Sequence, residues 1–447
     1  MNLDAKLRRR AAEGNPVRVG IIGAGKFGAM FLSQCGHHPG YHVLGIADLS
    51  ADRARATLDR VGWPKERYDA PDAATALAQK KTWITEDADA LIEADGLEVL
   101  IDATGNPAAG IRHALKGIEN GRHLVMVNVE ADVLAGPLLA KKAEQAGLVY
   151  SLAYGDQPAL IAEMVDWGRA VGMDIVCAGK GTKYLPAYHH VTPDDVWTHY
   201  GLTPEQAKAG GMNPQMFNSF LDGTKSAIEM AAVSNACDLV PQDDGLAFPP
   251  CGVDDLPRIL SPRETGGVLS RKGTVEVVSS VERDGRPVFR DLRWGVYVTF
   301  EAPSDYVARC FSEYGLLTDP TGRYSTMYKP YHLIGLELGI SVASAALRQE
   351  ATGAPRAWAG DAVATAKKPL KQGDQLDGEG GYTVYGKLMP AATSRAKGAL
   401  PIGLAHGITL KRSVATDQVL TWDDVVLDEQ DPTLRFRKEM ESAFTSL

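Results

Sequence analysis

The segment PVRVGIIGAGKFGAMFLSQC, Pro16 to Cys35, constrains this chain more than any other. It begins as an apolar strand over Val17 to Ile22, turns through Gly23, Gly25 and Gly28, and continues with helical spacing at Phe27, Met30 and Phe31. A second apolar run, YHVLGIAD, ends in Asp48 about 20 residues beyond the last glycine, the interval at which a dinucleotide site places its acidic residue. Each glycine is needed for a physical reason. Gly23 permits the tight turn, Gly25 lets backbone approach a pyrophosphate, and Gly28 lets helix and strand pack closely. The helix N-terminus then faces the phosphate charge. Strand, glycines, helix, strand and acid in this order predict a doubly wound, parallel α/β domain.

Asp48 is the residue that accepts from adenosine ribose hydroxyls, which favours NAD; Arg53 and Arg55 on the next helix are cations able to offset a ribose phosphate. Cofactor preference stays open on the residues alone. LEVLIDATGNP and RHLVMVNVEAD read as two further buried strands. Their polar ends, Thr104, Gly105, Asn106, Asn128 and Glu130, fall where ligands sit in an open α/β sheet. Asp156 and Gln157, in LVYSLAYGDQPAL, belong to the same edge, with Asp156 also a candidate helix cap.

Of 447 residues, 45% are hydrophobic and 23% charged, the make-up of a soluble globular chain of two or three domains. No apolar run approaches the roughly 20 residues that span a bilayer, and nothing at the N-terminus reads as a signal peptide, so a cytoplasmic protein with no membrane partner is expected. The five cysteines form no CxxC pair. A net charge of −9 argues against a nucleic-acid surface, so an anionic substrate needs a local basic pocket.

Candidates for that pocket lie downstream. The strand DIVCAGKGTKYLP runs into Lys180 and Lys183 beside a glycine turn. NSFLDGTKSAIE, Asn218 to Glu229, concentrates an amide, hydroxyls, two carboxylates and Lys225. It also carries a plain alternative: Ser226 and Glu229 at capping-box spacing after an Asp222-Gly223 turn. KGTVEVVSSVERDGRPVFRDLRWGVYVTFEAP predicts a hairpin around Asp284-Gly285. Arg323, Tyr324, Tyr328, Lys329 and His332 cluster ahead of an apolar helix and read as an oxyanion-gripping loop or as an aromatic hinge. From Ala357 on, short strands punctuated by Gly and Asp carry two similar half-patterns, AKKPLKQGDQL and LKRSVATDQVLT, which suggest a compact all-β module.

VGIIGAGKFG, NVEADVLAGPLLAKKAEQAG and GDQPAL resemble the N-terminal domain of homoserine dehydrogenase-type oxidoreductases. FNSFLDGTKSAIE is similar to that family's Asn-Gly-Thr-Thr segment, with Asp222 and Lys225 as departures, and the C-terminal part resembles a SAF module, a β-clip. Over essentially the whole chain the combination resembles the deoxyxylulose phosphate reductoisomerase-like enzymes. The resemblance implies a Rossmann domain at 1–157, an α+β catalytic and dimerisation domain at 158–355 with a helix over 332–348 that can fold back on the first, and a SAF-like β-clip at 356–447. It implies a homodimer that uses NADPH to turn 1-deoxy-D-xylulose 5-phosphate into 2-C-methyl-D-erythritol 4-phosphate for isoprenoid synthesis. The alternatives are a dehydrogenase of another hydroxy acid or polyol phosphate, and a non-catalytic cofactor sensor.

On that reading Lys225 and Lys183 stabilise an oxyanion, and Asp222 or Glu130 moves protons. Lys180, Asn218, Ser219, Arg323, Tyr324, Lys329 and Gln157 contact phosphate and hydroxyls. Gly23, Gly25, Lys26, Phe27, Gly28, Asp48, Thr104, Gly105, Asn106 and Asn128 hold the cofactor. Oxygen-only sites for Mg or Mn leave little trace in sequence, and the metal requirement stays unknown; Glu130, Asp156 and Asp222 are the carboxylates available to one.

Overall fold

The computed structural model describes residues 2–209 and 212–444, which divide into two compact units. Unit 1 comprises residues 1–160 and 332–356, and unit 2 residues 161–331 and 357–447.

Unit 1 opens with α1 (Leu3–Ala12) and β1 (Val17–Ile22), followed by α2 (Lys26–Cys35), β2 (Tyr41–Ala47) and α3 (Ala51–Arg60). Then come α4 (Ala73–Gln79), β3 (Trp83–Thr85), α5 (Ala88–Glu93), β4 (Val99–Asp102), α6 (Pro107–Glu119), β5 (His123–Met126), α7 (Val129–Gln145) and β6 (Tyr150–Leu152). The six strands form one parallel sheet in the order β3-β2-β1-β4-β5-β6, the dinucleotide-fold order with its switch point between β1 and β4. Val19, Ile21, Ile46, Val99 and Ile101 are fully buried, as strands covered on both faces require. α8 (Gln157–Ala170) leads the chain out of this unit.

Unit 2 contains β7 (Asp174–Thr182), α9 (Val196–Tyr200), α10 (Pro204–Ala209), α11 (Pro214–Leu221), α12 (Thr224–Cys237) and α13 (Leu256–Ile259). β8 (Thr274–Ser279), β9 (Val296–Glu301), α14 (Asp305–Glu313) and β10 (Tyr324–Lys329) follow. These four strands form one sheet in the order β10-β9-β7-β8. The hairpin expected around Asp284-Gly285 is therefore replaced: β8 and β9 are not neighbours, because β7 lies between them, parallel to β8 and antiparallel to β9. Gly285, at φ 87°, still turns the chain, but only the Val281–Pro287 bridge closes there. The Arg323–Lys329 cluster is likewise no loop, since six of its seven residues form the β10 strand, paired along β9.

Returning to unit 1, α15 (Gly339–Arg348) starts seven residues later than the 332–348 expectation, and Leu338, Val342 and Ala343 join the core beneath β1, β4 and β5. The chain then adds β11 (Gly360–Ala366), β12 (Gln375–Asp377), β13 (Val384–Pro390), α16 (Ala391–Lys397), β14 (His406–Thr409) and α17 (Pro432–Ala443) to unit 2. The two half-patterns noted in the sequence face each other there. Leu370 and Val414 exchange both backbone hydrogen bonds, at 2.9 and 3.0 Å; Ala366 donates to Gln418 as Leu410 donates to Asp374. No helix among the described residues is long and apolar enough to cross a membrane.

Candidate functional site

The glycine loop of unit 1 has the geometry its sequence predicts. Gly23 sits at φ 99°, and a Cβ there would lie 2.7 Å from the Ala103 carbonyl; at Gly28 it would lie 2.3 Å from the Gly23 carbonyl. At Gly25, the N-cap of α2, it would meet nothing within 4 Å. The loop is therefore closed against the sheet and open in front of the helix N-terminus, where an anionic group gains from unpaired N–H donors and the helix dipole. Lys26 is exposed at the first helical position and Phe27 is half-buried beside the core.

Asp48 directly follows β2 and has 5% of its surface exposed. One carboxylate oxygen accepts from the Ala24 amide at 2.8 Å; the other accepts from Ser50 N and pairs with the Arg53 guanidinium, whose side chain is 58% exposed. The carboxylate is thus tied to the glycine loop and screened by a cation. At the ends of β4 and β5, Asp102 accepts from His113 Nδ1 at 2.7 Å, Thr104 Oγ1 at 2.8 Å and Asn128 Nδ2 at 3.1 Å. Asn128 also bonds Thr104 Oγ1 and the Asn106 carbonyl, and caps α7 through Ala131 N. Asn106 caps α6. Asn128, 1% exposed, is thus a strut for the Thr104-Gly105-Asn106 turn rather than a surface contact. Glu130 is half-buried in the first turn of α7, and Gln157 is buried at the start of α8.

In unit 2 the capping-box reading of NSFLDGTKSAIE gives way. The N-cap of α12 is Gly223, at φ 90°, and Ser226 is inside the helix. Glu229 instead reaches β7, where it forms a buried ion pair with Lys180. Lys225, one helical turn before Glu229 and half-buried, shares that face of α12. Lys180 and Glu229 are hence the charged pair that the structure brings together here, with Lys225 one helical turn from Glu229.

Asp222 does not join them as an accessible proton carrier. It has no exposed surface, pairs with Lys367 of the C-terminal segment at 2.7 Å and accepts from Thr224 N at 2.8 Å. Burial pushes its carboxyl upward, and the Lys367 ammonium pulls it back. The carboxylate trio available to a cation is thereby dissolved, since Asp222 already has its cation; no group of three metal-ligating side chains occurs among the described residues.

Around the same turn, His189 Nδ1 bonds the Asp222 carbonyl at 2.7 Å and Nε2 bonds Tyr184 Oη at 2.9 Å. A carbonyl only accepts, so Nδ1 carries the proton; burial holds this imidazole below its ordinary value. His189 stacks on Tyr385, and Tyr184 stacks on Phe248 at 3.9 Å. Phe248 is at φ 51°, a costly conformation for an aromatic residue, and its N–H is fixed by the buried Glu276 carboxylate. Burial pushes Glu276 up to about 7 against four donating groups: the Ala247, Phe248 and Val277 amides and the Gln242 side chain.

The remaining candidates disperse. Lys183 donates to the His199 carbonyl at 2.6 Å, and burial, with Arg293 nearby, lowers its ammonium. Asn218 and Ser219 are buried in α11 and hydrogen-bonded to backbone carbonyls. Arg323 pairs with Asp305, Tyr324 is in the core, and Lys329 lies over the Tyr331 ring. Sequence reasoning missed Asp102, His113, His189, Glu276 and Lys367. A lone histidine on α6 and a lysine in a KK pair carry no local signal, because their partners are remote or out of pattern.

Residues 155–338 match the family model described as oxidoreductase DRL, catalytic domain. The match is to an oxidoreductase catalytic domain, takes in Lys180, Asp222, Lys225, Glu229 and Arg323, and leaves out both the glycine loop and the C-terminal segment. No curated protein matches the chain. Among solved structures, a probable dehydrogenase from Thermotoga maritima is 11% identical with a TM-score of 0.36, over 73% of this chain and 87% of that one. A dehydrogenase from Bordetella pertussis in complex with NADH and UDP-GlcNAcA is 14% identical (TM-score 0.27), and a 3-ketoreductase from Actinomadura kijaniata in complex with NADP is 19% identical (TM-score 0.25). For each of these last two, 38% of this chain covers 48% of the other.

Proposed function

We propose that the protein is an NAD(P)H-dependent dehydrogenase of a small hydroxylated or keto substrate, a hydroxy acid or a sugar or polyol phosphate. The observation that supports this reading best is the oxidoreductase catalytic-domain match at 155–338, downstream of a complete strand, glycine loop and helix. The residues fit a nicotinamide dinucleotide: an open Gly25 at a helix N-terminus, with Lys26 beside it, suits the pyrophosphate. When bound, that cofactor supplies the hydride. Arg53, laid over Asp48, offsets the charge that would repel a ribose phosphate, which supports NADPH over NADH.

The chain's own chemistry then concerns a proton and an oxyanion. As carbonyl becomes alkoxide, an ammonium must meet the charge and donate a proton. Lys225 is our candidate: it is half-buried and one turn from a carboxylate already paired with Lys180. Lys183 is the alternative candidate, although its ammonium already donates to the His199 carbonyl.

A narrower reading, reductoisomerisation of 1-deoxy-D-xylulose 5-phosphate, rests on the whole-chain resemblance noted in the sequence. Both are tested by following NADPH oxidation with that compound and with a panel of keto acids and ketose phosphates, with and without Mg or Mn, and identifying products by NMR. A branched methylerythritol phosphate establishes rearrangement plus reduction. A simple alcohol supports the dehydrogenase, and no oxidation with any substrate rejects both. With an active substrate, Lys225→Ala should lower kcat about 10²–10⁴-fold with NADPH binding intact.

A further inference from the structure

We propose that the C-terminal β segment positions the turn between α11 and α12, with Lys367 as the positioning residue; this rests on the reading of Lys225 as the proton donor. The Lys367 side chain is 2% exposed; its ammonium donates to the Gly381 carbonyl at 2.7 Å and the Val191 carbonyl at 2.9 Å, and forms an ion pair with Asp222 Oδ2 at 2.7 Å. The other Asp222 oxygen holds Thr224 N, the first helical amide of α12 and the residue before Lys225. Thr224 Oγ1 in turn accepts from Gly386 N on β13 at 2.8 Å, and a Cβ at Gly386 would press on Thr224 at 3.0 Å.

The same segment grips α11. Asn218 Nδ2 donates to Gly380 O and shares the Val191 carbonyl with Lys367, while Gln215 Nε2 donates to the carbonyls of Asp377 and Glu379. The loop 377–383 that offers these groups is itself fixed, since the Asp377 carboxylate accepts from Tyr382 N at 2.6 Å and Thr383 N at 3.0 Å. Both helices that flank the turn are therefore held by one distant stretch of chain. Stability alone does not call for such a device, because a well-packed apolar pair is commonly as stable as a buried ion pair. Charge at this place specifies one arrangement of the turn, and displacements of about 1 Å are enough to cost a reaction 10²-fold.

The test uses the full-length protein with lysines reductively ¹³C-methylated, comparing wild type, K367M/D222L and Q215A. The double variant removes both charges at once, leaving neither buried alone, and Q215A removes only the half-buried amide grip on α11. Expected in both are faster amide exchange in the peptide over 218–228, unchanged exchange over 20–30, and a displaced Lys225 methyl signal with a shifted titration. With an active substrate, kcat falls 10–100-fold in the double variant and about threefold in Q215A, with KM for NADPH within twofold. Faster exchange with the Lys225 signal and kcat both at wild-type values would make the segment a structural support only and overturn the proposal, as would unchanged exchange in Q215A. If wild type reduces no substrate, the dehydrogenase reading fails by itself, and the Lys225 signal still decides this one.

Discussion

The crevice end of unit 1 and the α11–α12 turn of unit 2 are both built around a buried carboxylate, Asp102 in one and Asp222 in the other. They are wired differently. Asp102 draws its donors from Thr104, His113 and Asn128, all within 26 positions, and each belongs to a βα unit of the same sheet. Asp222 draws its cation from Lys367, and Thr224 beside it draws a backbone donor from Gly386, 162 positions away. A network of near neighbours forms with its own βα units, whereas a network spanning more than a third of the chain exists only when the C-terminal segment has docked on α11 and α12. The first can be perturbed locally; the second ties the turn to the fold.

Breaking the distant network should accordingly have the largest effect. Lys367→Met alone leaves the Asp222 carboxylate buried without its cation, and removing one partner of such a pair typically costs about 3–5 kcal/mol. Urea unfolding followed by tryptophan fluorescence, with Trp197 in unit 2 as one reporter, measures it. A loss under about 1 kcal/mol would mean that the turn is not tied to the C-terminal segment as described. The near-neighbour network should respond less. Asp102→Ala leaves His113, Thr104 and Asn128 donors unmet, a cost of about 1–3 kcal/mol. Because the Thr104-Gly105-Asn106 turn loosens, NADPH affinity should fall about tenfold, as read by protein-to-nicotinamide fluorescence transfer. Unaltered affinity would separate this network from the cofactor.

The same contrast explains what was legible in the sequence. The β1–loop–α2 motif was readable because its constraints are contiguous: Gly23 and Gly28 fit against atoms of the same βα unit and its neighbouring strand. The β-rich C-terminal texture was readable because its two halves repeat, and Leu370 and Val414 pair as the repeat implies. NSFLDGTKSAIE misled because Ser226 and Glu229 have the spacing of a local motif, while Glu229 is actually claimed by Lys180 across the helix–sheet interface. The hairpin misled for a related reason: β8 and β9 are complementary in pattern, but β7, some hundred residues earlier, takes the place between them. Lys367 sits in AKKPLK, a stretch whose composition announces solvent, and only the fold turns one lysine of the pair inward.

The smallest effect tests how well the near-neighbour region is balanced, and it concerns Asp132, one turn beyond Asn128 on α7. Asp132 is fully buried; Tyr150 Oη donates to one oxygen at 2.9 Å, and the second has no hydrogen-bond partner among the described residues. Burial pushes this carboxyl up to about 7, with the Tyr150 bond working against it. A folded-state value above the ordinary 3.8 means that the folded protein binds the proton more tightly than the unfolded chain does. Its contribution is therefore fully present below about pH 4 and is lost as the pH rises towards 7. Asn in this place keeps an acceptor for Tyr150 and cannot ionise. Asp132→Asn should gain on wild type by about 1–3 kcal/mol between pH 5 and pH 8, since each tenfold difference in proton affinity between the folded and unfolded chains is worth about 1.4 kcal/mol. Comparing the two proteins, rather than wild type alone, removes the opposite slope expected from His189, His42 and His123, whose burial lowers them and costs stability on the acid side of 6.5. Urea midpoints of both proteins across that range read the difference directly. A constant gap between them would mean that Asp132 is ionised in the folded state at both pH values, with a compensating donor supplied by water.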